Sequence, residues 1–405
     1  MIDQHEVPIL YPLMKTCHDL PIPSPLALSR SMHLCEIIQQ KIQQHNGQVT
    51  FADFMELALY HPDYGYYQDP GFKLGKLGDF TSEPELSPLF AHCFARQCQQ
   101  IFTEAGDQQI LELGAGSGQF ALDLLTRLES IHALPSRYTI VEISNSLVQQ
   151  QQARIAAVRP DLLKLIEWLP ALPPAISGIV IANEVLDAIP FHCFQVENQQ
   201  PLLRMVGVQQ DQFVWQTAHP TSPELAAALA YITTTYALRD GYQSEIQLPA
   251  MSLIRQLCDR LTKGVILLVD YGYGQREYYH PERAHGTLTC FYQHHAHQDP
   301  LLYPGLQDIT THIDFTRVIE TAASHDLNLL GYTTQCAFLL ANGLLEEAQM
   351  LENDLPAREQ FQLHQAIKTL TLPTEMGETI KVMALGRGYH STLTGFTTLD
   401  RRRDL

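Results

Sequence analysis

The sequence predicts an α/β protein built on a mostly parallel, Rossmann-like sheet, and three observations carry that expectation. Between residues 109 and 182, short apolar and β-branched runs alternate with helix-period segments. That alternation gives parallel strands joined by right-handed crossovers. A small-residue turn, Gly114-Ala115-Gly116-Ser117-Gly118, lies directly between one such strand and one such helix. Two long insertions, 191–262 and 271–325, leave the carboxyl ends of strands, where open α/β sheets bind their ligands.

Taken in order, residues 1–30 carry five prolines and little periodicity and read as a surface arm. From 31 to 59 the pattern is helical, broken at His45-Asn46-Gly47, with Thr50 placed to cap a second helix. A stretch over 60–85, dense in Gly, Pro, Tyr and Asp, reads as a lid or a packed connector ahead of a helix over 88–102. Strands follow at 109–113 and 138–143, with helices at 119–128 and 146–158. Short runs at 163–168, 178–182 and 264–270 supply more strands, and 331–340 with 379–386 supply an antiparallel pair that closes a seven-stranded sheet. The insertion 191–262 reads as a hairpin-like stretch over 191–216 and then helices; 271–325 is polar and rich in histidine. The expected organisation is a helical N-terminal region with a lid loop (1–105), a sheet domain made from 106–190 and 263–390, the insertion 191–262 on the substrate side, and a tail at 391–405.

Composition narrows the function. At 405 residues with 45% apolar and 17% charged side chains, the chain can bury a substantial core. No apolar run approaches the roughly 18–20 residues that cross a bilayer, so no membrane association is expected. The N-terminus has neither signal-peptide nor transit-peptide composition, which predicts a cytoplasmic protein. Eight cysteines without a CxxC pair indicate neither a disulfide framework nor a zinc ribbon. A net charge of −18 argues against nucleic acid as a partner and suits a cationic substrate, though solubility alone also accounts for it. His280, His285, His294, His295 and His297 tempt a metal reading, but they lack ligand spacing and read as a polar substrate-side loop, so no metal is expected.

The glycine turn carries the chemistry. Glycines let the backbone approach a ligand closely, and the helix that follows offers free N–H groups. Such turns also bind dinucleotides, so the neighbouring acids decide. Glu112 precedes the first glycine by two residues, near where the amino-acid end of S-adenosyl-L-methionine (SAM) would lie. Glu142 ends the second strand, where a carboxylate can accept both ribose hydroxyls. Together with Gly114, Gly116 and Gly118 these residues predict a SAM site, with NAD(P) as the competing ligand and a bare tight turn with a helix-capping Glu142 as the structural alternative. After the fourth strand, Asn183-Glu184-Val185-Leu186-Asp187 puts two acids beside the transferable methyl. Glu184 and Asp187 are the candidate catalytic residues, able to orient an amine or guanidinium by charge-assisted hydrogen bonds; the alternative is that one caps a helix and the other is solvated.

Residues 78–90, GDFTSEPELSPLF, resemble the GDF-x-T/S-x-PE-I/L-S segment of the MidA family. ELGAGSG, ANEVLDAIPFHCF, VDYGYG, REYYHPERAHGTL and YPGLQDITTHIDF resemble that family in the same order, over about residues 30–390. The resemblance implies a class I methyltransferase fold, SAM as cofactor and, as for the family's mitochondrial members in complex I assembly, methylation of a protein arginine. It also implies that Gly78 and Asp79 line the cofactor cleft, with the Pro84-Glu85 segment beside them. Glu85 is then a substrate-side acid, as Asp308 is on the later segment, unless Asp79 and Thr81 merely cap a turn. Two positions depart from the family pattern: Ala91 stands where many relatives have glycine, and Glu83 replaces a smaller residue. The expected function is a protein methyltransferase with arginine as the favoured acceptor; a SAM-binding assembly protein without turnover and a small-molecule methyltransferase are the alternatives. A homodimer is left open.

Overall fold

Strands that are apolar on both faces need layers on both sides, and the 13-residue strand Leu261–Tyr273 is buried continuously from Gly264 to Asp270. It sits in the middle of a sheet whose strands, in chain order, are β1 (Gln109–Leu113), β2 (Arg137–Val141), β3 (Ile166–Leu169), β4 (Ile176–Asn183), β5 (Leu261–Tyr273), β6 (Asn328–Thr334) and β7 (Ile380–Arg387). Their spatial order is β6-β7-β5-β4-β1-β2-β3. The β5–β4, β4–β1, β1–β2 and β2–β3 pairs are parallel, while β7 runs antiparallel to both β5 and β6. A two-residue strand, Ile313–Asp314, adds to the end of β5. The computed structural model describes residues 20–69, 82–220, 222–353 and 355–405.

The connecting helices are α1 (Glu83–Leu86), α2 (Leu89–Ala105), α3 (Gln119–Ser130), α4 (Asn145–Val158), α5 (Leu248–Arg260), α6 (Phe315–Ala323), α7 (Gln335–Ala341), α8 (Leu344–Glu352) and α9 (Ala357–Thr371). One core cluster joins α2, α3 and α7 to one face of the sheet, with Phe94 4.8 Å from Phe90 and 4.9 Å from Phe338. Truncating any of these buried rings to alanine costs about 3–5 kcal/mol.

By contacts the chain divides into two units: residues 1–72, 189–248 and 279–311, and residues 73–188, 249–278 and 312–405. The second holds the seven strands above. The first contains an antiparallel sheet of Gln48–Thr50, Gln200–Gln209, His192–Glu197 and Gln243–Ile246, with Gln212–Ala218 paired to Gln200–Gln209. It also holds a three-stranded sheet of Thr289–Tyr292, His295–His297 and Asp308–Thr310, which places His295 and His297 in a strand.

Several expectations shift. The first helix begins at Pro25, inside the expected arm, because Ser24 accepts the Ala27 N–H at 3.3 Å and proline suits the first helical turn. Thr50 does cap the second helix, accepting the Asp53 N–H at 3.0 Å. The expected strand over 331–340 is a strand only to Thr334. There the Thr334 hydroxyl accepts the Ala337 N–H at 3.3 Å and starts α7, an apolar run whose length does not separate strand from buried helix. The tail over 391–405 packs against the sheet unit, with Leu393 and Phe396 buried and the Arg401 N–H donating to Tyr332 O at 2.8 Å.

Candidate active site

The sheet unit reverses strand order between β1 and β4: the chain moves outward from β1 to β2 and β3, then returns to β4. A crevice opens outside the carboxyl ends at such a point. The glycine turn forms its floor. Gly114, Gly116 and Gly118 take φ values of 58°, 52° and 80°, a region side chains enter only with strain. At Gly118 an added Cβ would come within 3.2 Å of Gln151, and at Gly114 within 3.4 Å of the Val185 side chain, so the turn faces the acidic loop after β4 directly.

Gln151 on α4 ties the turn to the end of β2. Its amide donates to Gly116 O at 2.9 Å and to Glu142 at 3.2 Å, while its carbonyl accepts the Trp168 indole N–H at 2.9 Å. Glu142 also accepts the Ser144 N–H at 2.9 Å. Burial pushes the Glu142 carboxyl up, and the bonds from Ser144 and Gln151 hold it back. Nothing in the sequence singles out Gln151; its only signal is its place nine residues after Glu142 on the face of the following helix.

The acidic loop is shaped by Asp270, near the end of β5. One Asp270 oxygen accepts the N–H groups of Leu186 at 3.0 Å and Asp187 at 3.3 Å, and the other accepts the Tyr271 N–H at 2.9 Å. Glu184 enters the turn with φ 49°, its N–H bonded to Val269 O at 2.9 Å. A left-handed non-glycine residue costs about 1 kcal/mol, and the Asp270 bonds hold it there. Burial and the neighbouring Asp187 push the Asp270 carboxyl well up, against the three N–H bonds that favour its charge. Burial, then Glu184, Glu83, Asp187 and Asp270 in turn, raise the Tyr271 phenol, so four acids converge on one ring. The ring stacks on His312 at 5.9 Å. Sequence reasoning paired Glu184 with Asp187 but missed Asp270, whose signal was an acid closing an apolar strand.

α1 spans the two halves of the crevice. Glu85 accepts from Ser117 in the glycine turn and pairs with Arg154 at 3.1 Å, and Arg154 also donates to Gln119 at 2.8 Å. Glu83, fully buried, accepts from the Asn183 amide at 3.2 Å at the end of β4. Among the described residues, Glu83 Oε1 and Asn183 Oδ1 are buried without a hydrogen-bond partner. A left-handed glycine turn that an added Cβ would fill and the buried Glu142 at the end of β2 fit a ligand that brings ribose hydroxyls.

A family model described as S-adenosyl-L-methionine-dependent methyltransferase matches residues 93–333. The chain is 36% identical to a crystal structure from Burkholderia thailandensis bound to S-adenosyl-homocysteine, with a TM-score of 0.91 over 95% of this chain and 100% of that one. This chain belongs to the SAM-dependent methyltransferases. Among curated relatives, the mitochondrial protein arginine methyltransferase NDUFAF7 of Danio rerio is 27% identical, over 82% of either chain. Its Drosophila melanogaster homolog is 26% identical over 93% of this chain and 90% of its own. These relatives are named mitochondrial, so the cytoplasmic assignment drawn from the N-terminal composition does not stand. No helix among the described residues is long and apolar enough to cross a membrane.

SAM is the cofactor of this methyltransferase, and the remaining candidates sort by what holds them. Glu112 accepts the Tyr138 hydroxyl at 2.7 Å on the sheet face beneath α2 and α3. Burial pushes its carboxyl up to about 8, the Tyr138 bond opposing and Glu142 adding to the rise. Glu85, expected on the substrate side, is held by Ser117 and Arg154 on the glycine-turn side. Asp308 lies in the first unit, buried, accepting the Tyr67 hydroxyl at 2.8 Å. Gly78 and Asp79 lie outside the described residues.

Proposed function

We propose that this methyltransferase acts on an arginine side chain of a protein, with Glu184 and Asp187 as the groups that meet it. The observation that carries the proposal is the acidic loop: a strained turn held by Asp270 that gathers carboxylates around Tyr271 at the carboxyl end of β4. A guanidinium is planar, always charged and presents five N–H donors, so it suits a site with several fixed acceptors. The names of the NDUFAF7 relatives support the same acceptor.

When bound, SAM supplies an electrophilic methyl on a sulfonium. This chain's residues then have three tasks: Glu142 and the glycine turn hold the adenosine end, Glu184 and Asp187 aim one guanidine nitrogen, and the same acids take up the proton that the methylated nitrogen releases. Glu85 closes the cofactor side through Ser117.

Tritiated SAM supplied to a lysate, followed by mass spectrometry of labelled proteins, identifies the acceptor residue. Arginine label that disappears in Glu184→Gln and Asp187→Asn, with S-adenosyl-homocysteine affinity kept within about twofold, is the expected result. Label on lysine or on a small molecule overturns the arginine reading, and labelling unchanged in both variants overturns the roles of the two acids.

A further inference from the structure

Glu83 is buried at the centre of the acidic crevice, and the function as derived so far does not use it. Its carboxyl is 0% exposed, and only one oxygen is engaged, by the Asn183 amide at 3.2 Å. The other oxygen has no partner among the described residues, and neither has the Asn183 carbonyl oxygen beside it. Two orphaned acceptors, one on α1 and one at the end of β4, form a receptor for donors, because buried polar atoms are almost always satisfied in a working complex. A cation supplies such donors: burial pushes the Glu83 and Asp270 carboxyls up, so their charged forms need a positive partner, and among the described residues no basic side chain offsets this at Glu83, Asp270 or Tyr271. α1 holds the carboxyl in place. Glu85, two residues on, is anchored to Ser117 and Arg154, so the four-residue helix cannot swing Glu83 away without breaking the contact with the glycine turn.

We infer that Glu83, with the Asn183 carbonyl, accepts N–H donors from the planar guanidinium of the acceptor and is a specificity-determining residue of this site. The inference rests on the arginine reading above. Glu184 and Asp187 aim the nitrogen that receives the methyl, while Glu83 grips the far edge of the fork. A neutral isostere of arginine leaves that carboxyl unpaired, and a lysine ammonium presents a point of charge with no second edge.

The test is calorimetric, on the full chain saturated with S-adenosyl-homocysteine, using N-acetylarginine amide, N-acetylcitrulline amide and N-acetyllysine amide as probes. The protein is expected to bind the arginine probe at least tenfold more tightly than the other two. In Glu83→Gln that preference is expected to fall about tenfold, with S-adenosyl-homocysteine affinity unchanged within twofold. Glu83→Ser, which removes the carboxyl and leaves a small polar side chain, carries the test should the glutamine variant fail to fold. A preference that survives both substitutions overturns the role of Glu83 alone. Weakened S-adenosyl-homocysteine binding also overturns it, by showing that the carboxyl holds the cofactor's ammonium. Absence of any arginine preference in the unmodified protein overturns the arginine reading itself.

Discussion

Two acids from the same stretch of sequence illustrate how far a residue's identity predicts its work. Glu142 ends β2 with its carboxyl held between Ser144 and Gln151, leaving acceptor capacity for ribose hydroxyls. Glu142→Ala is expected to weaken S-adenosyl-homocysteine by about 1–3 kcal/mol in calorimetry, the worth of charge-assisted hydrogen bonds; unchanged affinity would reduce the residue to a cap for Ser144. Glu112, two residues before the first glycine, looks equally placed in sequence, yet strand alternation turns it toward Tyr138 under the helices. Its role there is thermodynamic. A carboxyl raised from an ordinary 4.5 to about 8 favours the fold fully below pH 4.5, and that contribution is lost as pH rises through 8. Urea denaturation between pH 5 and pH 8.5 is therefore expected to show stability falling by on the order of 3 kcal/mol, and Glu112→Gln is expected to flatten the slope. An identical slope in the variant assigns the pH dependence to other groups. Sequence gives the residue type and the strand; which face an acid takes depends on register and on what lies beneath.

Elements were legible where periodicity and punctuation agree. The β1–turn–α3 unit follows its sequence signature to the residue at the start of both strand and helix. α7 was not, since its apolar run fits either period and the deciding cue is the Thr334 cap. The acidic loop belongs between these cases: its two acids are visible in the sequence, but its shape is imposed by Asp270, 83 residues beyond Asp187. Asp270→Ala tests that dependence, because it removes the oxygen that accepts the Leu186 and Asp187 N–H groups together with the one that accepts from Tyr271. Release of the left-handed Glu184 turn is expected to lower kcat by roughly 100-fold, while S-adenosyl-homocysteine affinity changes less than threefold. Equal losses in both would mean that Asp270 supports the whole crevice. Gln151→Ala reverses the pattern: it is expected to weaken the cofactor and leave kcat at saturation nearly unchanged, since it touches Gly116 and Glu142 but not the acidic loop.

At the scale of the molecule, the sheet order follows from right-handed crossovers and the closing antiparallel pair, both readable from the alternation of runs. The helices above it are fixed by an ion cluster that no local pattern announces. Glu347 on α8 accepts from Arg96 of α2 at 2.7 Å, Arg127 of α3 at 2.7 Å and His92 of α2 at 3.1 Å. The three partners lie 220 or more residues away in the chain, so pairing them requires the fold itself. Burial opposes ionisation of Glu347, yet the bonds from His92, Arg127 and Arg96 prevail and hold its carboxyl down at about 2. The stability it contributes is present above its ordinary value of 4.5 and disappears as pH falls through 2. Removing one member of a buried pair is more damaging than the pair's net worth, because the remaining charges lose their partner. Glu347→Ala is therefore expected to lower unfolding free energy by about 2–3 kcal/mol at pH 7, with solvent reaching Arg96 and limiting the cost. The difference from the unmodified protein is expected to shrink toward pH 2. Because Gly118 is the N-cap of α3, the same loosening is expected to raise the dissociation constant for S-adenosyl-homocysteine severalfold, although no bond described for Glu347 reaches the crevice. Urea denaturation at the two pH values with calorimetry at pH 7 measures both effects; a stability loss that persists at pH 2 would show that packing of α8, not the ion cluster, holds the helices over the cofactor turn.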